Sequence, residues 1–187
     1  MARMQEINFS SDYVHRLPAG VQQGVHALCT LVWPPELDET LGLEMAPEDA
    51  RPERFIAFAE RQGRIVATAE GFRRTLVTER GELSVLALAS VCTLPECRAQ
   101  GLGRRVVQMV LRLVHEGRFP VALWQTGVPE FYRMLGAIEV SNRFVNRRSA
   151  TQPDRNPFWD KHQMIYVPNG AREIWPEGTI DLNGPAY

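Results

Sequence analysis

A turn that contains two glycines joins an apolar segment to an amphipathic segment in residues 91–105, which read VCTLPECRAQGLGRR. The apolar run that leads into the turn, residues 84–93, is typical of a central strand that is buried on both faces. After the turn, residues 103–115 repeat apolar side chains at helical spacing, which predicts a helix with one buried face. The sequence therefore predicts a strand that Pro95 ends, a glycine turn and an α-helix in direct succession.

The same turn has the features of an anion-binding site. The first N–H groups of a helix are unpaired and carry partial positive charge. Gly101 and Gly103 allow main-chain amides to come close to a diphosphate, and Arg98, Arg104 and Arg105 add positive charge. The pattern is not a P-loop, which needs Gly-Lys-Ser/Thr, and it is not the dinucleotide fingerprint, which needs a third glycine.

Length and charge limit the classes of protein that this chain can form. Its 187 residues predict a single domain over 1–187. A balance of 21 basic and 22 acidic residues argues against a nucleic-acid-binding protein, and the chain has no apolar run long enough for a membrane span. The polar start lacks the pattern of a signal peptide, and Cys29, Cys92 and Cys97 are expected to be thiols of a reducing compartment. We therefore expect a cytoplasmic protein with no metal site, no nucleic-acid partner and no membrane partner.

The elements around the turn predict a mixed α/β domain of the α+β type. A helix at 19–32 ends at Trp33-Pro34-Pro35 and leads into an acidic, irregular segment, 34–53. The predicted strands are 54–60, 65–72, 73–83, 84–93, 120–125, 137–145 and 162–167, with turns at Gln62-Gly63 and Arg80-Gly81, and a short helix lies at 129–135. The tail 168–187 still carries Ile174, Trp175, Ile180, Leu182 and Tyr187, so we expect it to pack on the fold.

Two motifs at a characteristic distance resemble those of the GNAT family of N-acetyltransferases. Arg98-x-x-Gly101-x-Gly103 after a strand is similar to the family's acetyl-CoA motif, Gln/Arg-x-x-Gly-x-Gly/Ala. The segment Phe131-Tyr132-Arg133-Met134-Leu135-Gly136-Ala137 is similar to its Phe-Tyr-x-x-x-Gly-Phe. The resemblance covers about residues 84–140, and it implies a mostly antiparallel central sheet flanked by helices, with acetyl-CoA as the acetyl donor.

The resemblance also implies roles for individual residues. The main chain near Val91, Cys92 and Thr93 would pair with the pantetheine arm, and Gln125 lies where many members have asparagine. Tyr132 would protonate the departing thiolate. The pyrophosphate would be held by the amides of a continuous run, Arg98, Ala99, Gln100, Gly101, Leu102, Gly103 and Arg104.

The general base and the acceptor are less defined, because the central strand has no carboxylate at positions 86–90, where many members carry one. Glu70 and Glu82 are the nearest acids along the chain. The C-terminal region, about residues 146–187, offers Asp160, His162, Glu173, Glu177 and Asp181. Its layout resembles, more weakly, that of aminoglycoside N-acetyltransferases and of acyltransferases that make lipo-chito-oligosaccharides. We expect Asp160, Glu177 and Asp181 to bind a cationic amine.

These observations predict an enzyme that moves an acetyl group to a primary amine of a small polar molecule, by direct attack on the thioester. Two alternatives stay open at this point. One is a non-catalytic acyl-CoA sensor, which the missing strand carboxylate would suit. The other is transfer of a longer acyl chain. The apolar tail also leaves open whether it packs within one chain or across a homodimer.

Overall fold

The structure is a computed structural model that describes residues 6–34, 51–168 and 171–187. The predicted acidic segment 34–53 lies largely outside these residues. The three α-helices of the described residues are α1 (Ala19–Val32), α2 (Leu102–His115) and α3 (Pro129–Arg133). The nine strands among the described residues are β1 (Ile7–Tyr13), β2 (Phe55–Arg61), β3 (Arg64–Thr78), β4 (Gly81–Thr93), β5 (Ala122–Thr126), β6 (Ile138–Val140), β7 (Arg143–Val145), β8 (His162–Tyr166) and β9 (Thr179–Asp181). The mixed α/β architecture with a largely antiparallel sheet is confirmed.

The chain forms two compact units, and both β3 and β4 contribute to each of them. The first unit contains the described residues of 6–34, 53–71 and 88–110. Here β1 pairs antiparallel with β2, and β2 with β3. Gln62 and Gly63, with φ of 52° and 75°, form the predicted hairpin turn, because positive φ at both central residues matches the twist of the flanking strands.

Strand β1 was missed by the sequence analysis, which took the first residues as polar and mixed. Its pairing runs from Ile7 opposite Arg61 to Tyr13 opposite Phe55. An edge strand of this kind is half exposed, and only Ile7 and Phe9 alternate clearly with polar neighbours. Its hydrogen bonds to β2 are long-range, so the local pattern gives them little signal.

The second unit contains the described residues of 51–52, 72–87 and 111–187. Strand β5 pairs in parallel with β4 at two positions, Leu86 with Ala122 and Ala87 with Leu123. On its other side β5 pairs antiparallel with β8, which in turn pairs with β6. Within this pairing His162 at the start of β8 lies opposite Thr126 at the end of β5.

In the structure the predicted strand 137–145 is divided into two strands, β6 and β7, because the side chain of Asn142 between them is hydrogen-bonded to the C-terminal tail. Its side chain donates hydrogen bonds to the main-chain oxygens of Pro176 and Gly178, both at 3.0 Å, and accepts one from the indole of Trp175 at 2.7 Å. The break in the strand therefore anchors the C-terminal tail.

The tail packs on the second unit, as predicted from its apolar residues. Trp175, Ile180, Leu182 and Tyr187 are buried, and β9 pairs in parallel with β7. The guanidinium of Arg74 donates to the main-chain oxygens of Leu182 and Pro185, both at 2.7 Å.

The predicted helix 103–115 is also confirmed, with Val106, Val107, Val110, Leu111 and Val114 buried. No helix among the described residues is long and apolar enough to span a membrane.

Candidate functional site

The turn between β4 and α2 has an unusual main-chain geometry. A short 3-10 turn, Pro95–Cys97, follows β4. Ala99 and Gly101 then adopt positive φ, 59° and 76°, before α2 begins at Leu102. Alternation of left-handed and right-handed residues turns successive N–H groups to one side, which produces a concave surface of donors.

The donors on this surface are free. Among the described residues, no hydrogen-bond partner is found for the main-chain N–H groups of residues 99–104, whereas the N–H of Arg105 already bonds Gly101 at 3.1 Å. A helix start normally leaves such groups for a cap, for water or for a ligand. Six consecutive N–H groups at the positive end of a 14-residue helix fit the oxygens of a diphosphate.

Side chains around the turn hold its shape. The guanidinium of Arg61 donates to Oε1 of Gln100 at 2.6 Å, and Arg64 pairs with Glu96 at 3.4 Å. Gln100 is therefore engaged within the protein, and its expected contribution to cofactor binding reduces to its main-chain N–H. Arg98 and Arg104 are exposed at the rim. Sequence analysis missed Arg61, which no motif marks because it lies on β2.

The end of β4 carries a second main-chain irregularity. Ser90 has a φ of 52°, an uncommon conformation for a residue with a side chain, and no sequence signal indicated it. Val91 and Thr93, expected to pair with pantetheine, are half-buried. Cys92 is buried, and its hydrogen bond with Cys29 together with burial raises the pKa of its thiol. An inert thiol leaves only the main chain of Cys92 available to a cofactor.

Of the two acids proposed as a base from chain order, Glu70 is buried and fully engaged. Its Oε1 accepts from Nε of Arg54 at 2.7 Å, and its Oε2 accepts from the hydroxyl of Ser90 at 3.3 Å. This carboxylate holds the irregular residue of β4 in place. Glu82, at the start of β4, is exposed. Within the first unit, we therefore assign Glu70 a structural role rather than that of a base.

Tyr132, the predicted general acid, is 6% exposed and lies on α3 in the second unit. Its ring packs on Trp124 of β5, with 5.0 Å between ring centroids, and against Phe131. Burial, followed by the negative charge of Asp160, raises the pKa of the Tyr132 phenol. The side chain is therefore a protonated phenol at neutral pH, which is the form that can donate a proton.

Gln125 organises the loop that carries Asp160. Its Oε1 accepts from the main-chain N–H groups of Trp159 and Asp160, both at 2.8 Å, and its Nε2 donates to the main-chain oxygen of Tyr187 at 3.1 Å. This amide is therefore hydrogen-bonded within the protein through both its oxygen and its nitrogen. Gln125 thus connects the loop before β8 to the tail.

The other expected acceptor residues fall into two groups. Asp181 is buried, and its Oδ1 accepts from the main-chain N–H groups of Arg147 and Asn183 at 3.2 and 2.8 Å. We therefore assign Asp181 a structural role. Glu173 and Glu177 are exposed and line an open groove of about 970 Å³ together with Arg80, Arg143, Arg172 and Trp175. This groove is of mixed charge rather than acidic.

The motifs can now be compared with known proteins. A model of the acetyltransferase (GNAT) family matches residues 25–137. The chain belongs to the GNAT acetyltransferase family. It is accordingly an acyl-CoA-dependent N-acyltransferase, and the free amides of residues 99–104 fit the diphosphate of that cofactor.

Several solved structures share its fold at low identity. A GNAT family N-acetyltransferase (YhbS) from Escherichia coli in complex with CoA has 14% identity and a TM-score of 0.64, over 96% of this chain and 91% of that one. An acyl-CoA N-acyltransferase from Pseudomonas aeruginosa has 16% identity and a TM-score of 0.58, over 87% of this chain and 100% of that one. Escherichia coli ElaA has 14% identity and a TM-score of 0.59, over 86% and 99%. A search of curated proteins finds no match.

Proposed function

We propose that this acyltransferase moves an acetyl group from acetyl-CoA to a primary amine of a small polar molecule. The observation that supports the proposal most is the run of main-chain amides at residues 99–104, which have no hydrogen-bond partner among the described residues and suit the diphosphate of the donor. Free thiols at Cys29, Cys92 and Cys97 support a reducing compartment, and we place the enzyme in the cytoplasm.

The chemistry needs few groups from the protein. The ammonium group of the acceptor first loses one proton to solvent. The neutral amine then attacks the thioester carbonyl carbon, a C–N bond forms, and a main-chain amide of β4 stabilises the oxyanion. The intermediate then collapses with cleavage of the C–S bond. Tyr132 donates its proton to the departing thiolate, and the nitrogen loses a proton to give the neutral amide. CoA supplies only the activated acyl group.

We propose that Asp160 binds the amine of the acceptor. Its carboxylate lies close enough to Tyr132 for its charge to raise the pKa of that phenol. Among the described residues, no hydrogen bond or ion pair engages the Asp160 carboxylate. A half-buried carboxylate without a partner favours a cationic amine.

The test is release of CoA thiol from acetyl-CoA in the presence of a panel of primary amines, with identification of the acetylated product by mass spectrometry. We expect amine-dependent thiol release and a stoichiometric amide product. Tight acetyl-CoA binding without transfer to any amine would instead support a non-catalytic sensor. Faster transfer from longer acyl-CoA donors would reject the acetyl specificity.

A further inference from the structure

One question that the proposed function leaves open is which group receives the proton of the amine. The central strand has no carboxylate at positions 86–90, and Glu70 is engaged by Arg54 and Ser90. In the second unit, Glu130 and Glu139 both pair with Arg133, and Glu139 also bonds Nδ1 of His162 at 2.6 Å. These acids are occupied by the fold.

Asp160 differs from these acids because its main-chain groups are hydrogen-bonded, while its carboxylate makes no hydrogen bond or ion pair among the described residues. Its N–H bonds Gln125 and its carbonyl oxygen accepts from Nε2 of Gln163, both at 2.8 Å. The carboxylate lies over the turn that leads from β5 into α3, since a Cβ placed on Gly127 would be 3.6 Å from Oδ1 of Asp160.

The topology brings this carboxylate to the same end of β5 as the general acid. Strand β5 ends at Thr126, opposite His162, and Asp160 precedes His162 by two residues. Tyr132 lies on α3, which follows the end of β5 along the chain, and its ring packs on Trp124 of β5. The acid and the free carboxylate therefore lie on adjoining segments of one unit.

We propose that Asp160 is the base that takes the amine proton, and that Asp160 and Tyr132 work as a coupled pair. This inference rests on the proposed function. As the C–N bond forms, the nitrogen transfers one proton to the carboxylate. As the C–S bond breaks, Tyr132 transfers one proton to the thiolate. The proton on Asp160 then returns to the phenolate, which restores both groups.

The electrostatics of the pair favour this order of events. Burial raises the pKa of Asp160, and a charged His162 opposes the increase. The ionised carboxylate in turn raises the pKa of Tyr132. Once Asp160 is protonated this effect disappears, so Tyr132 becomes a stronger acid at the moment when the thiolate leaves.

The surroundings of Asp160 also indicate the kind of acceptor. Trp159 and Val128 are 38% and 62% exposed, and both adjoin the segments that hold the carboxylate. A cation near a half-buried carboxylate beside an exposed indole suits a primary ammonium group with an apolar or aromatic body. A primary amine of this kind, such as 2-phenylethylamine, is therefore a suitable probe acceptor for the pair.

The test is the pH dependence of kcat/KM for 2-phenylethylamine with Asp160→Asn, with Asp154→Asn as the matched control. Asp154 lies in the same loop, but its side chain is 74% exposed and ion-paired with Arg143. We expect Asp160→Asn to lower kcat/KM by about 10²–10⁴-fold and to leave on the acidic limb of the profile only the ionisation of the amine itself. Asp154→Asn should change neither.

Three further measurements separate this role from a structural one. Acetyl-CoA affinity should be unchanged in Asp160→Asn, and Asp160→Glu should restore part of the rate. Carboxyl ¹³C NMR should show Asp160 titrating above the ordinary range of aspartate whether or not the protein is turning over.

The outcomes distinguish this inference from the proposed function. Amine acetylation by the parent protein, with an unchanged pH profile in Asp160→Asn, would overturn the role of Asp160 and leave the function intact. A loss of activity that is accompanied by weaker acetyl-CoA binding and is not rescued by Asp160→Glu would show that Asp160 is structural. Absence of transfer in the parent protein would overturn the proposed function itself.

Discussion

The turn at residues 94–104 and the tail at residues 171–187 are the two regions to which the sequence assigned ligand binding, and they use their polar groups differently. In the turn, main-chain N–H groups are left without partners while side chains such as Gln100 hold the shape. In the tail, the buried carboxylate of Asp181 is consumed by main-chain contacts. The turn leaves main-chain donors available for a ligand, whereas the tail uses the carboxylate of Asp181 to stabilise its own fold.

This difference shows how far the spacing of residues in the sequence can predict a ligand-binding site. A site built from main-chain donors depends on glycine positions and on a helix start, both of which are local features of the sequence. A site built from side chains depends on whether each charge already has a partner. Acidic composition in the C-terminal region, about residues 146–187, could not distinguish Asp181, which has partners, from Asp160, whose carboxylate makes no hydrogen bond or ion pair among the described residues.

Removal of the Tyr132 hydroxyl should give the largest effect on activity. Tyr132→Phe keeps the ring that packs on Trp124, so the fold should survive. We expect kcat to fall by about 10²–10⁴-fold if the hydroxyl is the general acid, with little change in acetyl-CoA affinity. Steady-state kinetics and calorimetric titration measure the two quantities.

The matched control for this variant is Tyr166→Phe. Tyr166 is in the same unit, and its hydroxyl bonds Nε2 of His115 at 2.7 Å. Its removal should leave kcat unchanged. Equal turnover in Tyr132→Phe and in the parent protein would show that Tyr132 is a packing residue.

The structural assignment of Asp181 predicts an effect on stability rather than on substrate binding. Asp181→Asn weakens two hydrogen bonds from main-chain N–H groups, so the free energy of unfolding should fall by about 1–3 kcal/mol. Glu177→Gln, at an exposed position, should change it by less than about 0.5 kcal/mol. Denaturant unfolding measures both. An increase in acceptor KM at unchanged stability would restore Asp181 to the acceptor site.

The turn should be sensitive to backbone conformation more than to side-chain size. Gly101 has a φ of 76°, and a Cβ there would meet no atom within 4 Å. Gly101→Val should therefore act through strain of about 1–2 kcal/mol, and the Kd for acetyl-CoA should rise about tenfold as the amides turn away. Gly101→Asn, which tolerates this conformation, should have a smaller effect. Equal Kd values for the two variants and the parent would contradict a main-chain site.

The smallest effect concerns Glu139, another acid of the second unit that the fold uses. The hydrogen bond from His162, aided by Arg133, lowers the pKa of the Glu139 carboxyl. Its stabilisation is present above the ordinary glutamate pKa, about 4.3, and is lost as the pH falls through the lowered value. The Tm difference between the parent and Glu139→Gln should therefore be largest near neutral pH and shrink toward pH 3. A difference that does not vary with pH would contradict the ion pair.

Most of the regular structure could be predicted because it depends on local patterns. Helix α2 repeats apolar residues every third or fourth position, and the hairpin at Gln62-Gly63 depends on two residues. Strands β1 and β9 could not be predicted, because both are defined by distant partners: β1 pairs with β2, and the three-residue β9 pairs with β3 and β7. The same reason hides the proposed acid–base pair, since the pairing of β5 with β8 brings the segment of Asp160 to the end of β5 from which α3 and Tyr132 follow.

The most direct test of the account is a crystal structure of the protein with CoA. We predict that the diphosphate oxygens lie within hydrogen-bond distance of the main-chain N–H groups of residues 99–104, with Arg98 and Arg104 at the rim. A diphosphate bound instead to Arg80, Arg143 and Arg172 in the groove of the tail would contradict the account, because the cofactor would then be held by side chains of the region that we assign to folding.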